Sequence, residues 1–367
     1  MRDAFALLGE MLFSTYGSDA LSLTKAPRTL QKNMKKIVSI LLIIITFNLN
    51  GQDIHFSQYY MNPIYLNPAL TGNFDGDWRF TGNQKSQWRS VSRPYNTLAL
   101  SAENKEELLL PSLYHALNFY HDAAGDGNYR TIEFNLSNSY QYYLNTDSTQ
   151  SLTAGLQFGI NHKRFDLSKL NFDSQFNGYT YDENLPINES FNTQSLTNFN
   201  LALGVIYSFK PEKRKELVAG IGWFNITSPN QSFLSNTEVK RNKRVVIHAK
   251  ANYPLNYQLD LQPGIFTQFQ GTYKELVIGT NLKYIYKDLK GEYIAPYAGI
   301  WYRNQDAAYV VAGLYYNNWI GGISYDINVS ELTPASNVKG GLEFSLQYIF
   351  HVFKPLDVKH RICPDYL

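Results

Sequence analysis

The stretch NFNLALGVIYSF, residues 198–209, alternates large apolar side chains with small or polar ones at almost every second position. Successive side chains of a β-strand point to opposite faces of a sheet, so this run predicts a strand with one oily and one polar face. The run LEFSLQYIF, residues 342–350, repeats the pattern with Glu343, Ser345 and Gln347 between apolar neighbours. The two runs indicate the same kind of strand at distant points of the chain.

About fourteen such runs follow one another over residues 77–353. Aromatic residues make up 15% of the chain and charged residues only 17%, while the mean hydropathy is −0.32. This combination is typical of a transmembrane barrel, whose lipid-facing side chains alternate with polar lumen residues. We therefore predict an all-β outer-membrane β-barrel of about fourteen antiparallel strands. A soluble sandwich or lipocalin-like barrel is the alternative, but it accounts poorly for so many aromatic residues at strand ends.

The lengths of the connections predict how the barrel is oriented. An even number of strands with both ends in the periplasm places the odd-numbered connections outside the cell. The two longest connections, 162–196 and 227–242, are the fifth and the seventh, whereas several even-numbered ones are short. We expect both long connections to be external loops. Aromatic side chains settle at lipid interfaces, and the girdle candidates are Trp223, Trp301, Trp319, Tyr297, Tyr302, Tyr315 and Tyr316.

The start of the chain reads as a targeting segment. Met34-Lys35-Lys36 precedes the apolar run IVSILLIIITF at 37–47, which is too short to span a membrane as a helix. A basic start, a short apolar run and a small residue predict a signal peptide over 34–51, cleaved near Gly51. An N-terminal membrane anchor is the alternative. Residues 1–33 lack signal character and are interpreted as an upstream start-site extension.

Residues 52–76 are expected to form a short segment that plugs the lumen. The stretch QDIHFSQYYMNPIYLNPALTG at 52–72 is largely apolar, and its two Asn-Pro pairs exclude a long helix. It could fold into the barrel mouth or pack on a partner protein. The proposed plug motif consists of Phe56, Tyr59, Tyr60, Asn62, Pro63, Asn67 and Pro68. The tail 354–367 is expected in the periplasm, as a disordered end or a docking element.

Little in the sequence points to chemistry. The formal net charge is +2, but residues 1–51 hold six basic and three acidic residues, so residues 52–367 carry −1. Nothing suggests nucleic-acid binding. Catalytic motifs such as G-x-S-x-G or H-E-x-x-H do not occur, and we predict neither an enzyme nor a cofactor. Three other readings are weaker than ordinary turns and solvated loops: a hydrolase pair of His162 and Ser168, calcium bound at 122–128, and a cation bound by Asp173, Asp182 and Glu183.

The N-terminal stretch, followed by Trp78-Arg79 and Gln87-Trp88, resembles the PorP/SprF family of Bacteroidetes outer-membrane proteins. Residues 172–176 (FDSQF) look like the family's F-D-x-Q-F loop, and residues 228–233 (SPNQSF) look like its P-x-Q-S-F element. The last strands at 324–348 and Cys363-Pro364 are also similar. The resemblance covers essentially all of 52–367, whereas residues 1–33 have no counterpart.

The resemblance implies a non-enzymatic outer-membrane barrel that works with the type IX secretion system. Such a barrel would assist secretion of a substrate, or anchor it at the cell surface, through the substrate's C-terminal sorting domain. Large adhesins, including those used in gliding motility, are substrates of this kind, and other type IX components would be further partners. The partner-binding candidates are Phe172, Asp173, Gln175, Phe176, Pro229, Gln231 and Phe233. A passive pore for small solutes is the alternative function.

Overall fold

A computed structural model describes residues 53–87, 94–106, 110–125, 127–191, 193–234, 238–329 and 339–352. The expected upstream extension, signal peptide and tail lie outside these ranges. Fifteen strands form one sheet. They are β1 (Trp78–Gln87), β2 (Tyr95–Asn104), β3 (Leu113–Ala124), β4 (Tyr129–Tyr143), β5 (Gln150–Arg164), β6 (Ser195–Glu212), β7 (Lys215–Phe224), β8 (Arg244–Pro254), β9 (Leu259–Gln270), β10 (Tyr273–Tyr284), β11 (Lys287–Leu289), β12 (Glu292–Arg303), β13 (Ala307–Tyr316), β14 (Trp319–Asn328) and β15 (Lys339–Phe350).

The sheet closes on itself to form a barrel. Each strand pairs antiparallel with its sequence neighbours, and β1 pairs with β15 from Trp78↔Phe350 to Ser86↔Leu342. The short β11 and the longer β10 both pair with β12, so together they occupy one strand position. The result is the predicted fourteen-stranded antiparallel barrel. Closure gives strand backbones hydrogen-bond partners that a hydrocarbon environment does not offer.

The alternation read from the sequence corresponds to the two faces of the barrel wall. On β6, Phe199 is 71% exposed on the outside, whereas Ser208 is 4% exposed and faces inward. On β15, Phe344 and Leu346 point outward while Glu343 and Ser345 are buried inside. The outer surface is therefore oily and the lumen surface is small or polar. Among the described residues, no helix is long and apolar enough to cross a membrane.

The two ends of the barrel differ in the length of their connections. The loops 165–194 and 225–243 lie at one end, called here the long-loop end. Short turns at 213–214, 255–258 and 317–318 lie at the other, the short-turn end. This agrees with the predicted arrangement. Bacterial barrels carry short periplasmic turns and longer extracellular loops, and on this rule we assign the long-loop end as the external one.

Part of the predicted aromatic girdle is wrong. Trp301 and Tyr297 are buried inside the lumen at 3% and 4% exposure, and Tyr315 packs against Tyr297 with ring centroids 5.5 Å apart. Tyr297 and Trp301 share the inward parity of β12 with Arg303, whereas Tyr302 has the opposite parity and points out. The remaining candidates also face outward, namely Trp223, Trp319 and Tyr316.

Candidate functional site

Residues 53–76, called here the N-terminal segment, run through the lumen from one end to the other. Asp53 lies at the long-loop end, where the side chains of Arg241 and Asn225 donate hydrogen bonds to its carboxylate. The backbone N–H of Gly72, near the short-turn end, donates to Glu103 Oε2 at 3.2 Å. The chain then enters β1. The segment therefore descends from the external mouth to the opposite mouth before the barrel wall begins.

The Asn-Pro pairs divide the segment into short turns. A 3₁₀ turn at Tyr59–Met61 is followed by the four-residue helix α1, Pro63–Leu66, and by a second 3₁₀ turn at Pro68–Leu70. Proline fits the first position of a helix because it has no N–H to satisfy there. Asn67 caps the second turn, since its Oδ1 accepts from the Ala69 N–H at 2.9 Å. The sequence thus yields a compact coil instead of a long helix.

The Asn67-Pro68 turn rests on a surface of lumen-facing glycines, called here the glycine surface. Gly155 pairs with Gly204 across β5 and β6, and Gly204 pairs with Gly222 across β6 and β7. A Cβ atom on Gly155 would lie 2.3 Å from the backbone nitrogen of Ala69. A Cβ on Gly204 would meet Asn67 Oδ1 at 1.9 Å. These strands lack side chains where the segment touches the wall.

Asn67 also bonds directly to the wall. Its Nδ2 donates to the Val205 carbonyl at 3.2 Å and lies 3.2 Å from His248 Nε2. His248 lies on the lumen side of β8 and is 3% exposed. A neutral imidazole accepts the Asn67 N–H at this nitrogen. The turn is therefore held by shape and by hydrogen bonds together.

A polar cluster fixes Ser57 in the outer half of the lumen. Ser57 Oγ donates to Asp326 Oδ1 at 2.7 Å, and accepts from Lys85 Nζ at 2.9 Å and from Arg303 Nη2 at 3.1 Å. Glu343 accepts from the Ser57 N–H at 2.6 Å, and its second oxygen accepts from the following N–H at 3.0 Å. Charged lumen side chains from strands β1, β12, β14 and β15 thus supply hydrogen-bond partners to a segment that is not part of the sheet.

An ion pair joins the start of the segment to an external loop. Arg241, in loop 225–243, donates to Asp53 Oδ1 from Nη2 at 2.9 Å and from Nε at 3.1 Å. Its Nη1 also lies 3.4 Å from Glu133 Oε2. Burial alone would raise the pKa of the Asp53 carboxyl, but Arg241 and Arg244 hold that pKa well below its ordinary value. We call this contact the Asp53–Arg241 latch.

Aromatic rings fill the space between the polar contacts. Tyr59 stacks on Phe266 with ring centroids 5.1 Å apart, and Tyr60 stacks on Trp301 at 5.4 Å. The Arg244 guanidinium lies between the rings of Tyr65 and Phe224, 4.2 Å from each centroid. Aromatic packing and cation–π contacts of this kind each add favourable energy beyond simple burial. These rings form an apolar core between the segment and the barrel wall.

The structure places all seven residues of the proposed plug motif inside the barrel. Six are buried and Tyr60 is half-buried. The sequence analysis did not single out Ser57 or Gln58, although both are fully buried and bonded to the wall. Their signal was indirect: Glu343 and Asp326 stand at lumen-facing strand positions, where a carboxylate needs a partner.

The two loop motifs come together at the long-loop end through aromatic contacts. Phe172 and Phe165 both pack on Phe191, with centroid distances of 5.9 and 5.4 Å, and Phe165 meets Phe233 at 4.8 Å. These four rings are called here the loop aromatic cluster. It ties loop 165–194 to loop 225–243, so the two loops form one surface.

Some of the proposed partner-binding residues serve the loops themselves. Gln175 is buried, and its Oε1 accepts from the Phe172 N–H and the Tyr181 hydroxyl at 3.3 and 3.2 Å. Gln231 accepts from Lys163 Nζ, and the Pro229 carbonyl accepts from the Arg241 N–H at 2.9 Å. These contacts hold the shape of the two loops.

Other residues of the same loop point to solvent. Phe176 is 55% exposed, Tyr179 93% and Tyr181 43%, and Asp173 is also exposed. We call Phe176, Tyr179 and Tyr181 the loop tip. Exposed aromatic rings on a held loop are well suited to recognise a protein partner, because little side-chain entropy is lost on binding.

The structure does not bring His162 and Ser168 together as a catalytic pair. His162 Nδ1 lies 2.9 Å from Thr197 Oγ1, while Ser168 Oγ donates instead to Asp166 at 2.7 Å. In the part of the chain that the structure describes, no group of three His, Cys, Asp or Glu side chains could hold a metal ion. Asp173, Asp182 and Glu183 therefore do not form such a group.

Several solved barrels resemble the chain. The toluene transporter TodX of Pseudomonas putida has a TM-score of 0.48 at 9% identity, covering 81% of this chain and 94% of its own. The toluene transporter TbuX of Ralstonia pickettii has a TM-score of 0.47 at 9% identity, covering 82% and 96%. A FadL homologue of Pseudomonas aeruginosa has 0.42 at 12% identity, covering 78% and 93%. No curated protein sequence matches the chain.

The match of the sequence to a family profile identifies the family of the chain, which the structural similarity to these barrels does not. The profile described as type IX secretion system membrane protein PorP/SprF matches residues 48–348, which include the N-terminal segment, both long loops and nearly the whole barrel. The matched region contains the lumen-filling segment with its two Asn-Pro turns. It also contains nearly all of a barrel of the outer-membrane type. The chain belongs to the PorP/SprF family of type IX secretion system membrane proteins.

Proposed function

We propose that this barrel is non-enzymatic and assists secretion of a type IX substrate, or anchors that substrate at the cell surface, by recognising its C-terminal sorting domain. The observation that carries the proposal is the family match over residues 48–348. The filled lumen supports a binding role, because residues 53–76 occupy the space that solutes would need. A large secreted adhesin, of the kind used in gliding, is a suitable partner because it is held outside the cell.

The loop surface at the external end is the proposed contact with the substrate. The loop aromatic cluster orders the two long loops, and Gln175 fixes the turn that presents Phe176 and Tyr179. An ordered loop loses less entropy on binding than a free one. The exposed rings of the loop tip are therefore the best candidates for the residues that dominate binding energy.

A passive pore is the alternative, and the lumen contacts count against it. Ser57, Asn67 and Gly72 each bond to the wall at a different height. A pore would require these contacts to break.

The proposal is tested in the native bacterium. The chromosomal gene is replaced by a variant that lacks residues 171–183, or by the double variant F176A/Y179A, which keeps the hydrogen bond between Tyr181 and Gln175. We expect surface display of the cognate substrate with a C-terminal sorting domain to fall roughly tenfold, since exposed aromatic anchors commonly carry 1–2 kcal/mol or more each. Surface proteomics measures the amount displayed.

The matched control is Y257A. Tyr257 is 95% exposed, like Tyr179, but it lies in the turn 255–258 at the opposite end of the barrel. Heat-modifiable migration on a gel verifies that every variant assembles as a barrel. Unchanged display by an assembled variant lacking 171–183 contradicts the proposal, as does an equal loss in Y257A.

A further inference from the structure

A cavity of about 770 Å³ opens at the short-turn end of the barrel. Its inner wall is the N-terminal segment, with Tyr60, Met61 and residues 72–75 facing the space. Its rim is formed by the turns after β4, β6 and β13. The cavity, called here the vestibule, is separate from the external loop surface and is not used by the proposed function.

The vestibule carries an excess of positive charge. Eight basic side chains line it against three acidic ones. Five of the eight form ion pairs with carboxylates. The remaining three, Lys105, Lys213 and Lys250, make no ion pair with a carboxylate of the described residues. Of the acidic side chains, Glu212 and Glu216 are already paired with Lys215 and Lys210.

The two deeper of these lysines are held in place by the fold. Lys105 Nζ donates to the Phe74 carbonyl at 2.9 Å and lies 6.0 and 5.9 Å from the ring centroids of Phe74 and Tyr114. Lys250 is half-buried on β8, facing Val218 on one neighbouring strand and Gly264 on the other. Both lysines line the same cavity, Lys105 just after β2 and Lys250 on β8.

We infer that the vestibule is a binding site for a small organic polyanion bearing carboxylate or phosphate groups. A cleft lined by one sign of charge, with walls of low dielectric constant, concentrates field lines and attracts counter-ions. Ammonium groups that have no carboxylate partner can bind carboxylate or phosphate oxygens through charge-assisted hydrogen bonds. The hydroxyl and amide groups of Ser151, Ser208 and Asn318 also line the space and supply further hydrogen bonds.

Such groups could arrive on a soluble anion or on the headgroup of an anionic lipid in the adjacent leaflet. Citrate is the probe, because its three carboxylates can reach lysines on different walls. Calorimetric titration of the purified full-length chain in a neutral detergent at low ionic strength should show saturable binding. We expect the dissociation constant to rise at least about tenfold in K105Q/K250Q, since the charge-assisted hydrogen bonds from both ammonium groups are lost.

The control is K240Q, which removes an exposed lysine at the long-loop end that pairs with Glu238. It should bind citrate as the unchanged chain does, and heat-modifiable migration verifies that both variants assemble. Absence of saturable heat, or citrate binding by assembled K105Q/K250Q with unchanged affinity, overturns the inference.

The source of the anion is distinguished in lipid nanodiscs. If lipid headgroups enter the vestibule, phosphatidylglycerol should weaken citrate binding relative to phosphatidylcholine, and K105Q/K250Q should abolish that difference. Equal citrate affinity in the two lipids, with K105Q/K250Q still weakened, assigns the site to soluble polyanions.

Discussion

The N-terminal segment and the external loop surface are both rich in aromatic residues and lack regular strands, yet they are built in opposite ways. In the segment, Phe56 and Tyr59 are buried at 3% and 4% exposure. In loop 165–194, Phe176 and Tyr179 are 55% and 93% exposed. The segment turns its rings and its polar groups toward the barrel wall. The loop uses part of its rings to hold itself together and presents the rest to solvent.

The difference separates a structural part of the barrel from a surface that is free to bind. Removing a segment contact should loosen the inside of the barrel and leave the loop tip unaffected. Removing a ring of the loop tip should leave the barrel unaffected. The Asp53–Arg241 latch is the one described ion pair through which the two regions touch directly.

The largest effect is expected from G155V on the glycine surface. A Cβ there would lie 2.3 Å from the Ala69 nitrogen and 2.5 Å from its Cα, and these backbone atoms cannot rotate away. We expect the segment to leave its seat, at a cost of about 3 kcal/mol or more, as overpacking of a rigid site can produce. Single-channel recording in planar bilayers should then show ion conductance well above that of the unchanged chain.

G321V is the matched control for this prediction. Gly321 faces outward, and the nearest atom to its added Cβ is a Leu346 methyl carbon at 3.8 Å, which is ordinary contact. Its conductance should match the unchanged chain. If G155V assembles and stays closed, the glycine surface does not position the segment.

The sequence predicts the wall far better than the lumen. Alternation alone places Phe199 outside and Ser208 inside, because a strand has only two faces. The aromatic character of Trp301 and Tyr297 suggested a lipid interface and led to a wrong assignment, although their alternation on β12 places them on the same inward face as Arg303. A glycine at a lumen-facing position, such as Gly155, is the sequence signal that something approaches the wall closely.

Contacts between distant parts of the chain could not be read from the sequence. Asp53 and Arg241 are 188 residues apart, and neither lies in a motif that suggests an ion pair. Gln175 and Gln231 remain predicted partner-binding residues, and their hydrogen bonds within the loops were not predicted from the sequence. A polar residue in a loop can either stabilise the loop or bind a partner, and its role depends on contacts that the sequence does not show.

An intermediate effect is expected at the latch. D53N removes the charge that faces Arg241, which then keeps only Glu133, and R241Q leaves the Asp53 carboxylate beside Arg244. Each change should cost about 1–3 kcal/mol, since it leaves a partly buried charge or donor without its partner. The double variant D53N/R241Q should cost clearly less than the sum of the two, as measured by denaturant unfolding of the assembled barrel.

K240Q is the control for the latch, because Lys240 is adjacent to Arg241 but points to solvent and pairs with exposed Glu238. It should leave unfolding unchanged. Strict additivity of D53N and R241Q would show that the two side chains do not act on each other. The latch would then not couple the segment to the loop.

The smallest effect is a pH dependence confined to the segment. Burial, reinforced by Lys85 and Arg303, lowers the pKa of His55 well below its ordinary value of 6.5, so the seated segment favours the neutral imidazole. The seating of the segment is fully favourable above pH 6.5 and weakens as the pH falls below that value, because only the displaced segment then takes up the proton.

In the loop, Ser168 holds the pKa of Asp166 below its ordinary value, so that carboxylate stays charged. Limited proteolysis at pH 7.5 and 5.5 should therefore show faster acid cleavage within 53–61 and no change at 171–183, and H55Q should remove the difference. Equal acid sensitivity in both regions would mean that His55 does not control the segment.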